Sequence, residues 1–210
     1  MRSRWLMSFL VVILATAVGV EMSAQQGERA GGAAQGGGGG RGGGRGFNLP
    51  PLLMQTDAFP DGGIVPQKFA GRGGVQPGFK FTGAPEGTVS YAIIFHDIDV
   101  AIGGDTGDVL HWVVWNIPGT TRQIAEGKFP EGAVNGKGIR TNEYMGPGAP
   151  PGPRYHHYVF EFYALSAKLD LPPTASRPEL LEAMKGKVLA KAAYVGRFRG
   201  TAPAAAPAAK

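Results

Sequence analysis

The 210-residue sequence contains no cysteine. This absence excludes a disulfide framework, a thiolate metal site, a cysteine nucleophile and lipid attachment through an N-terminal cysteine. Charged residues are also sparse, at 18% of the chain, and the formal net charge is +5. Residues 47–200 hold 15 basic and 14 acidic side chains, so the excess charge lies in the two ends of the chain. The overall basicity therefore gives no reason to expect a nucleic-acid partner.

The first 24 residues have the pattern of a secretory signal peptide. Arg2 and Arg4 precede an apolar run from Trp5 to Val20, and Met22-Ser23-Ala24 offers a small-residue cleavage site. We expect cleavage after about Ala24, export to the periplasm or the medium, and no stable membrane span afterwards. An uncleaved N-terminal anchor is the alternative, because the apolar run approaches the length that spans a bilayer.

Two further segments lack the large apolar side chains that a core needs. Residues 25–46 are almost entirely Gly, Ala, Gln and Arg, and residues 201–210 are mostly Ala and Pro. Such segments cannot offset the entropy of ordering, so we predict a disordered Gly-rich tether and a disordered tail. Arg41 and Arg45 are too few to make the tether an RNA-binding segment. The folded domain is therefore expected over residues 47–200.

Short apolar runs bounded by turn residues predict a mostly β domain. Three runs rich in β-branched and aromatic residues predict central strands, at 88–96, 109–117 and 155–165. Their near-continuous hydrophobicity indicates burial on both faces, under a second sheet or a helix. Ser176-Arg-Pro-Glu179 has the capping-box spacing and predicts a helix over about 177–185, ended by Gly186. The alternating segment 187–199 predicts a closing strand.

All four histidines lie on or beside a predicted strand. Strand alternation puts His156 and Tyr158 on one face of their strand and His157 on the other. The remaining two, His96 and His111, belong to the neighbouring predicted strands. The histidines are therefore candidates for a shared cavity.

Two loops beside these strands complete the candidate site. Asp97 and Asp99 follow a strand, border a Gly-rich loop, and lie on a common side if the chain stays extended. Residues 146–153, Gly-Pro-Gly-Ala-Pro-Pro-Gly-Pro, cannot form a helix or a ladder and predict a stiff wall leading into His156.

Imidazoles, a phenol and free backbone N–H groups of a proline-stiffened loop suit a small anion such as phosphate. The aspartates would orient a histidine or bind an ammonium group. Taken singly, each group also fits a structural role, as a buried imidazole bonded to the backbone or as a solvated Asx turn. Imidazole with carboxylate also suits zinc or iron, so a metal-dependent enzyme is the alternative function.

These motifs together resemble the phosphatidylethanolamine-binding protein family, specifically its bacterial Raf kinase inhibitor-like branch. The chain shows, in the family's order, Asp97-Ile-Asp99, His111-Trp112 with Asn116-Ile-Pro118, Gly146-Pro147 with Pro150-Pro-Gly152, and His156-His-Tyr158. It departs from the family at Ile98, Val100 and Ala101, which replace residues that include two prolines, and at His157, which replaces the usual Arg. The segment from Ala58 to Gly63 looks like the family's opening strand and turn. The resemblance covers about residues 47–199.

The resemblance implies an antiparallel β-sandwich-like fold with a few peripheral helices and a small anion pocket. The family pattern lines this pocket with Asp97, His111, Pro150, His156 and Tyr158, and we add Asp99, Gly146 and Pro151 from the adjoining loops. We predict an exported protein that binds a phosphate-like anion or a phospholipid head group and needs no cofactor. Binding is favoured over catalysis. Modulation of an unidentified protein partner is a further role that the family name suggests.

Overall fold

Residues 52–201 of the chain are described by a computed structural model. The predicted signal peptide, the predicted tether and all but the first residue of the predicted tail lie outside this part of the chain. The described residues form two β-sheets and one α-helix, which confirms the mostly β, sandwich-like prediction. No helix in this part is long and apolar enough to cross a membrane.

Nine strands and one helix make up the fold. In chain order these are β1 Leu53–Gln55, β2 Gly63–Ile64, β3 Phe79–Thr82, β4 Ser90–Asp97, β5 Val109–Pro118, β6 Gln123–Ile124, β7 Val134–Asn135, β8 His156–Leu165, α1 Arg177–Met184 and β9 Val188–Phe198. Short 3-10 helices lie at Gln67–Phe69 and Ile102–Gly104. The larger sheet has the order β2-β9-β8-β4-β5-β7, and the smaller sheet has the order β1-β3-β6. All pairs are antiparallel except β2 with β9.

The larger sheet is covered on both faces, as its continuous hydrophobicity predicted. On one face the smaller sheet packs through Phe79 and Phe81, whose rings lie 5.0 Å from that of Phe160 and 5.3 Å from that of Tyr91. On the other face α1 contributes Leu180 and Met184 to a second buried cluster. The central strands therefore run through the core between two covering layers, with one end of each strand left to border a cavity.

The helix begins and ends where the sequence predicts, to within a residue. The Ser176 hydroxyl accepts the Glu179 N–H and the Glu179 carboxylate accepts the Ser176 N–H, which completes the capping box. The chain leaves the helix through Gly186, whose φ of +73° suits glycine. The expected opening strand is displaced: β1 precedes Ala58, and residues 58–62 form a turn that leads into β2.

Candidate functional site

One end of the larger sheet opens into a cavity of about 350 Å³. The cavity lies where β4 ends and where β5 and β8 begin, and the loop before β8 closes one side. Because β4 is antiparallel to both neighbours, its last residue, Asp97, lies opposite Val109 of β5 and Tyr158 of β8. The lining comprises Gly71, Arg72, Asp97, Val100, Val109, His111, Ile139, Arg140, Met145, Gly146, Gly148, Ala149, Pro150, His156 and Tyr158.

A β-bulge turns His111 toward this cavity. Phe95 pairs with Trp112 and His96 pairs with Leu110, so His111 is an extra residue on β5 with no partner on β4. A bulge of this kind breaks the alternation of faces, and two consecutive side chains then point to the same side. The His111 ring accordingly lies 5.2 Å from the ring of Tyr158, edge to face, in the layer that the smaller sheet covers.

The hydrogen bonding of His111 fixes which ring nitrogen can meet a ligand. Its Nδ1 lies 2.9 Å from the carbonyl oxygen of Met145, and a carbonyl only accepts, so Nδ1 carries a hydrogen. Nε2 of the neutral ring then presents a lone pair, and it donates a hydrogen bond only when the ring is protonated. Burial lowers the pKa of His111 below its ordinary value of 6.5, against the hydrogen bond to Met145, which raises it.

A buried carboxylate binds Nδ1 of His156, as the Met145 carbonyl binds Nδ1 of His111. Its Nδ1 lies 2.8 Å from Oδ2 of Asp97, and Asp97 is only 3% exposed. The second oxygen of Asp97 accepts the backbone N–H of Asp99 at 2.9 Å. Both oxygens of Asp97 are therefore bonded within the protein. This arrangement suits an orienting role for Asp97, and it leaves Nε2 of His156 as the ring nitrogen for a ligand.

Tyr158 is fully buried and holds the wall loop in place. Its hydroxyl oxygen accepts the backbone N–H groups of Gly148 and Ala149, at 3.2 and 2.9 Å. Burial, together with the charge of Asp97, raises the pKa of Tyr158 above its ordinary value of 10.0, which keeps the phenol protonated. These loop N–H groups, expected to be free for an anion, are thus occupied by Tyr158. Gly146 likewise donates its N–H to the carbonyl of Gly71.

The structure separates some of the predicted site residues from the cavity. β4 ends at Asp97, and the chain turns there, so Asp99 does not stay on the same side as Asp97. Asp99 accepts both the backbone N–H and the ring Nδ1 of His157, on the opposite face of β8 from His156. Burial raises the pKa of Asp99, but these bonds outweigh it and lower the pKa overall. Pro151 lies beyond the lining and forms a bridge with Gly200.

His96 also lies away from the cavity. Its Nδ1 contacts Asp108, and its Nε2 lies 3.5 Å from Glu161, in a network that joins β4 and β8 to Arg177 at the start of α1. The candidate site therefore contains His111 and His156, while His96 and His157 bind other carboxylates. Between residues 52 and 201 no three His, Asp or Glu side chains are arranged to hold a metal ion.

Two cations in the lining had no counterpart among the sequence predictions. Arg72 lies in an irregular loop after the 3-10 helix at residues 67–69, and Arg140 lies in an irregular loop after β7. Both side chains are exposed at the mouth of the cavity. Neither lies on a strand or in a recognised motif, and only the folding of the loops brings them to the site.

The comparisons with known proteins agree with this architecture. The family model described as phosphatidylethanolamine-binding protein matches residues 55–199. A UPF0098 protein of Methanothermobacter thermautotrophicus is 37% identical over 153 residues, which cover 70% of this chain and 97% of the relative. A candidate lipoprotein of Mycobacterium tuberculosis, LppC, is 33% identical over 71% of this chain and 73% of its own length. A candidate phosphatidylethanolamine-binding protein homologue from Chlamydia trachomatis has a crystal structure that matches with a TM-score of 0.64 and 28% identity, over 71% of this chain and 98% of that one.

Proposed function

The chain belongs to the phosphatidylethanolamine-binding protein family, and we propose that its cavity binds a phosphate-like anion, either free or as part of a head group. The observation that carries the proposal is the shared orientation of His111 and His156. Each ring has its Nδ1 bonded to a protein acceptor, so each has Nε2 left to meet the same ligand. Two imidazoles in the lining of one cavity suit a tetrahedral anion, and a hydrogen bond from a protonated ring to the anion is charge-assisted.

Each neighbouring residue has a distinct part in this proposal. Asp97 holds the His156 ring through Nδ1 and so directs Nε2 to the anion. Tyr158 and Gly146 position the loop that forms one wall. Pro150 contributes apolar surface to the same wall. Asp97 and Tyr158 thus act through other groups, while the two histidines contact the anion.

We also propose that the protein is exported. The basic and apolar N-terminal segment supports this, and so does the relationship to the candidate lipoprotein LppC. Modulation of a protein partner remains a prediction from the family name. A metal-dependent reaction is not proposed, because no contact within residues 52–201 favours it.

Isothermal titration of the full chain with inorganic phosphate tests the binding proposal. Replacing His156 by Ala removes a charged hydrogen bond, so phosphate affinity should fall by about tenfold to a hundredfold. His157→Ala is the matched control, because His157 is the next residue but points to the other face; it should leave affinity within about twofold. Equal phosphate affinities for the His156→Ala variant and the unaltered chain would contradict the proposal.

A further inference from the structure

Arg72 and Arg140 differ from the other arginines of the described chain. Seven arginines lie between residues 52 and 201. Five of them donate hydrogen bonds to carbonyl or carboxylate oxygens of the protein: Arg122, Arg154, Arg177, Arg197 and Arg199. Among the described residues, no hydrogen bond or ion pair forms with Arg72 or Arg140. The two arginines without a protein partner are thus the two that line the cavity.

The same two arginines border a second cavity. This neighbouring cavity, of about 380 Å³, is lined by both arginines together with Thr141, Glu143, Tyr144 and Met145. Met145 also lines the first cavity, where its carbonyl binds His111. Arg72 and Arg140 therefore stand at the junction of the two spaces, within reach of whatever part of a ligand extends beyond the histidines.

Among the described residues, the cavity lining contains a single carboxylate for a positively charged group. This is Asp97, which is only 3% exposed and already accepts hydrogen bonds from His156 and Asp99. Glu143 lines only the neighbouring cavity, where two guanidinium groups outnumber it. An ammonium attached to the bound phosphate would thus share the space beside the histidines with two exposed guanidinium groups and one buried carboxylate. A second anionic group would instead meet paired guanidinium donors, which suit phosphate and carboxylate oxygens.

We propose that Arg72 and Arg140 form a second anion subsite, and that the cavity selects small ligands with two anionic groups, a phosphate and a further phosphate or carboxylate. This inference rests on the proposed function, since the first anionic group occupies the histidines. It makes the two arginines specificity-determining residues. They distinguish a doubly anionic ligand from the zwitterionic phosphoethanolamine head group and from a lone phosphate.

Separate titrations with three probes test this subsite. The full chain is titrated with inorganic phosphate, phosphoethanolamine and pyrophosphate at about 0.15 M ionic strength, which screens long-range attraction. Pyrophosphate should bind at least about tenfold more tightly than phosphate, because it gains charged hydrogen bonds to the arginines. Phosphoethanolamine should bind no more tightly than phosphate.

Variants locate the preference. In the double variant Arg72→Gln, Arg140→Gln the ratio of pyrophosphate affinity to phosphate affinity should fall to about one. Arg154→Gln is the matched control, because Arg154 is exposed and near the site but outside the lining; it should keep the advantage. Both substitutions in the double variant are on exposed side chains, and a thermal melt checks that the fold is retained.

The outcomes separate the two proposals. Phosphate binding without a preference for pyrophosphate, or a preference that survives the double variant, would overturn the second subsite and leave the proposed function standing. Tighter binding of phosphoethanolamine than of pyrophosphate would also overturn the second subsite and leave the proposed function standing. A chain that binds none of the three probes would overturn both.

Discussion

The tautomer of His111 makes anion binding depend on pH. Met145 holds the hydrogen on Nδ1, so Nε2 donates to an anion only after the ring takes up a proton. Burial lowers the pKa of the free ring below 6.5. A bound anion stabilises the imidazolium and raises that pKa again. Affinity should therefore rise as the pH falls from 8 toward the pKa of the free His111, and level off below it.

The expected size of this effect follows from proton linkage. Each pH unit between the free and bound pKa values contributes about 1.36 kcal/mol for one proton, or tenfold in affinity. Between pH 8 and pH 6.5 the free His111 stays mostly neutral, so a bound anion that raises the pKa of the ring above 8 gives a gain of about 2 kcal/mol, or about thirtyfold.

Sulfate is the suitable probe, because its charge is constant over this range whereas phosphate itself titrates. Isothermal titration in two buffers with different ionisation enthalpies gives the affinity and counts the protons taken up. His111→Gln should flatten the dependence, because an amide N–H donates at every pH; His157→Gln should keep it. A sulfate affinity that does not change between pH 8 and pH 6.5, with no proton uptake, would show that His111 does not bind the anion as an imidazolium.

Three substitutions test the loop that forms one wall of the cavity and the cap of α1. Tyr158→Phe leaves two loop N–H groups without their acceptor and should lower the free energy of unfolding by about 1–3 kcal/mol in urea titrations; an unchanged midpoint would contradict this role. Ser176→Ala removes the helix cap and should lower the unfolding free energy by about 0.5–2 kcal/mol, while the exposed Ser166→Ala should have little effect. Gly146→Ala places a Cβ 2.1 Å from the carbonyl oxygen of Phe69, so the loop must shift. We expect the free energy of unfolding to fall by about 1–3 kcal/mol and phosphate binding to weaken. Unchanged stability and unchanged phosphate affinity would argue against this close packing.

The sequence predicted the long strands well because their pattern is local. Strands β4, β5, β8 and β9 begin and end within two residues of the predicted bounds, since β-branched and aromatic residues fill them and turn residues flank them. The capping box predicted α1 for the same reason. The two-residue strands β6 and β7 carry no such pattern, because they exist only through pairing with distant partners.

The candidate site depends more on tertiary structure. Strand alternation correctly separated His156 from His157. It could not place His111, because the bulge that turns this side chain arises from the pairing with β4. Strand alternation also predicted that Asp97 and Asp99 lie on one side of an extended chain, but β4 ends at Asp97 and the chain turns there. The arginines of the second subsite lie in loops whose positions no local pattern specifies.

Nitrogen-15 NMR of the four histidine side chains, recorded during a titration of the full chain with phosphate, tests whether the anion binds at Nε2 of His111 and His156. At about pH 8 and before phosphate is added, His111 and His156 should show a hydrogen on Nδ1, and His111 should show none on Nε2. Phosphate should protonate or strongly shift Nε2 of these two residues and leave His96 and His157 unchanged. A hydrogen on Nε2 of the free His111 at this pH, or phosphate shifts confined to His96 or His157, would contradict anion binding at the two Nε2 atoms.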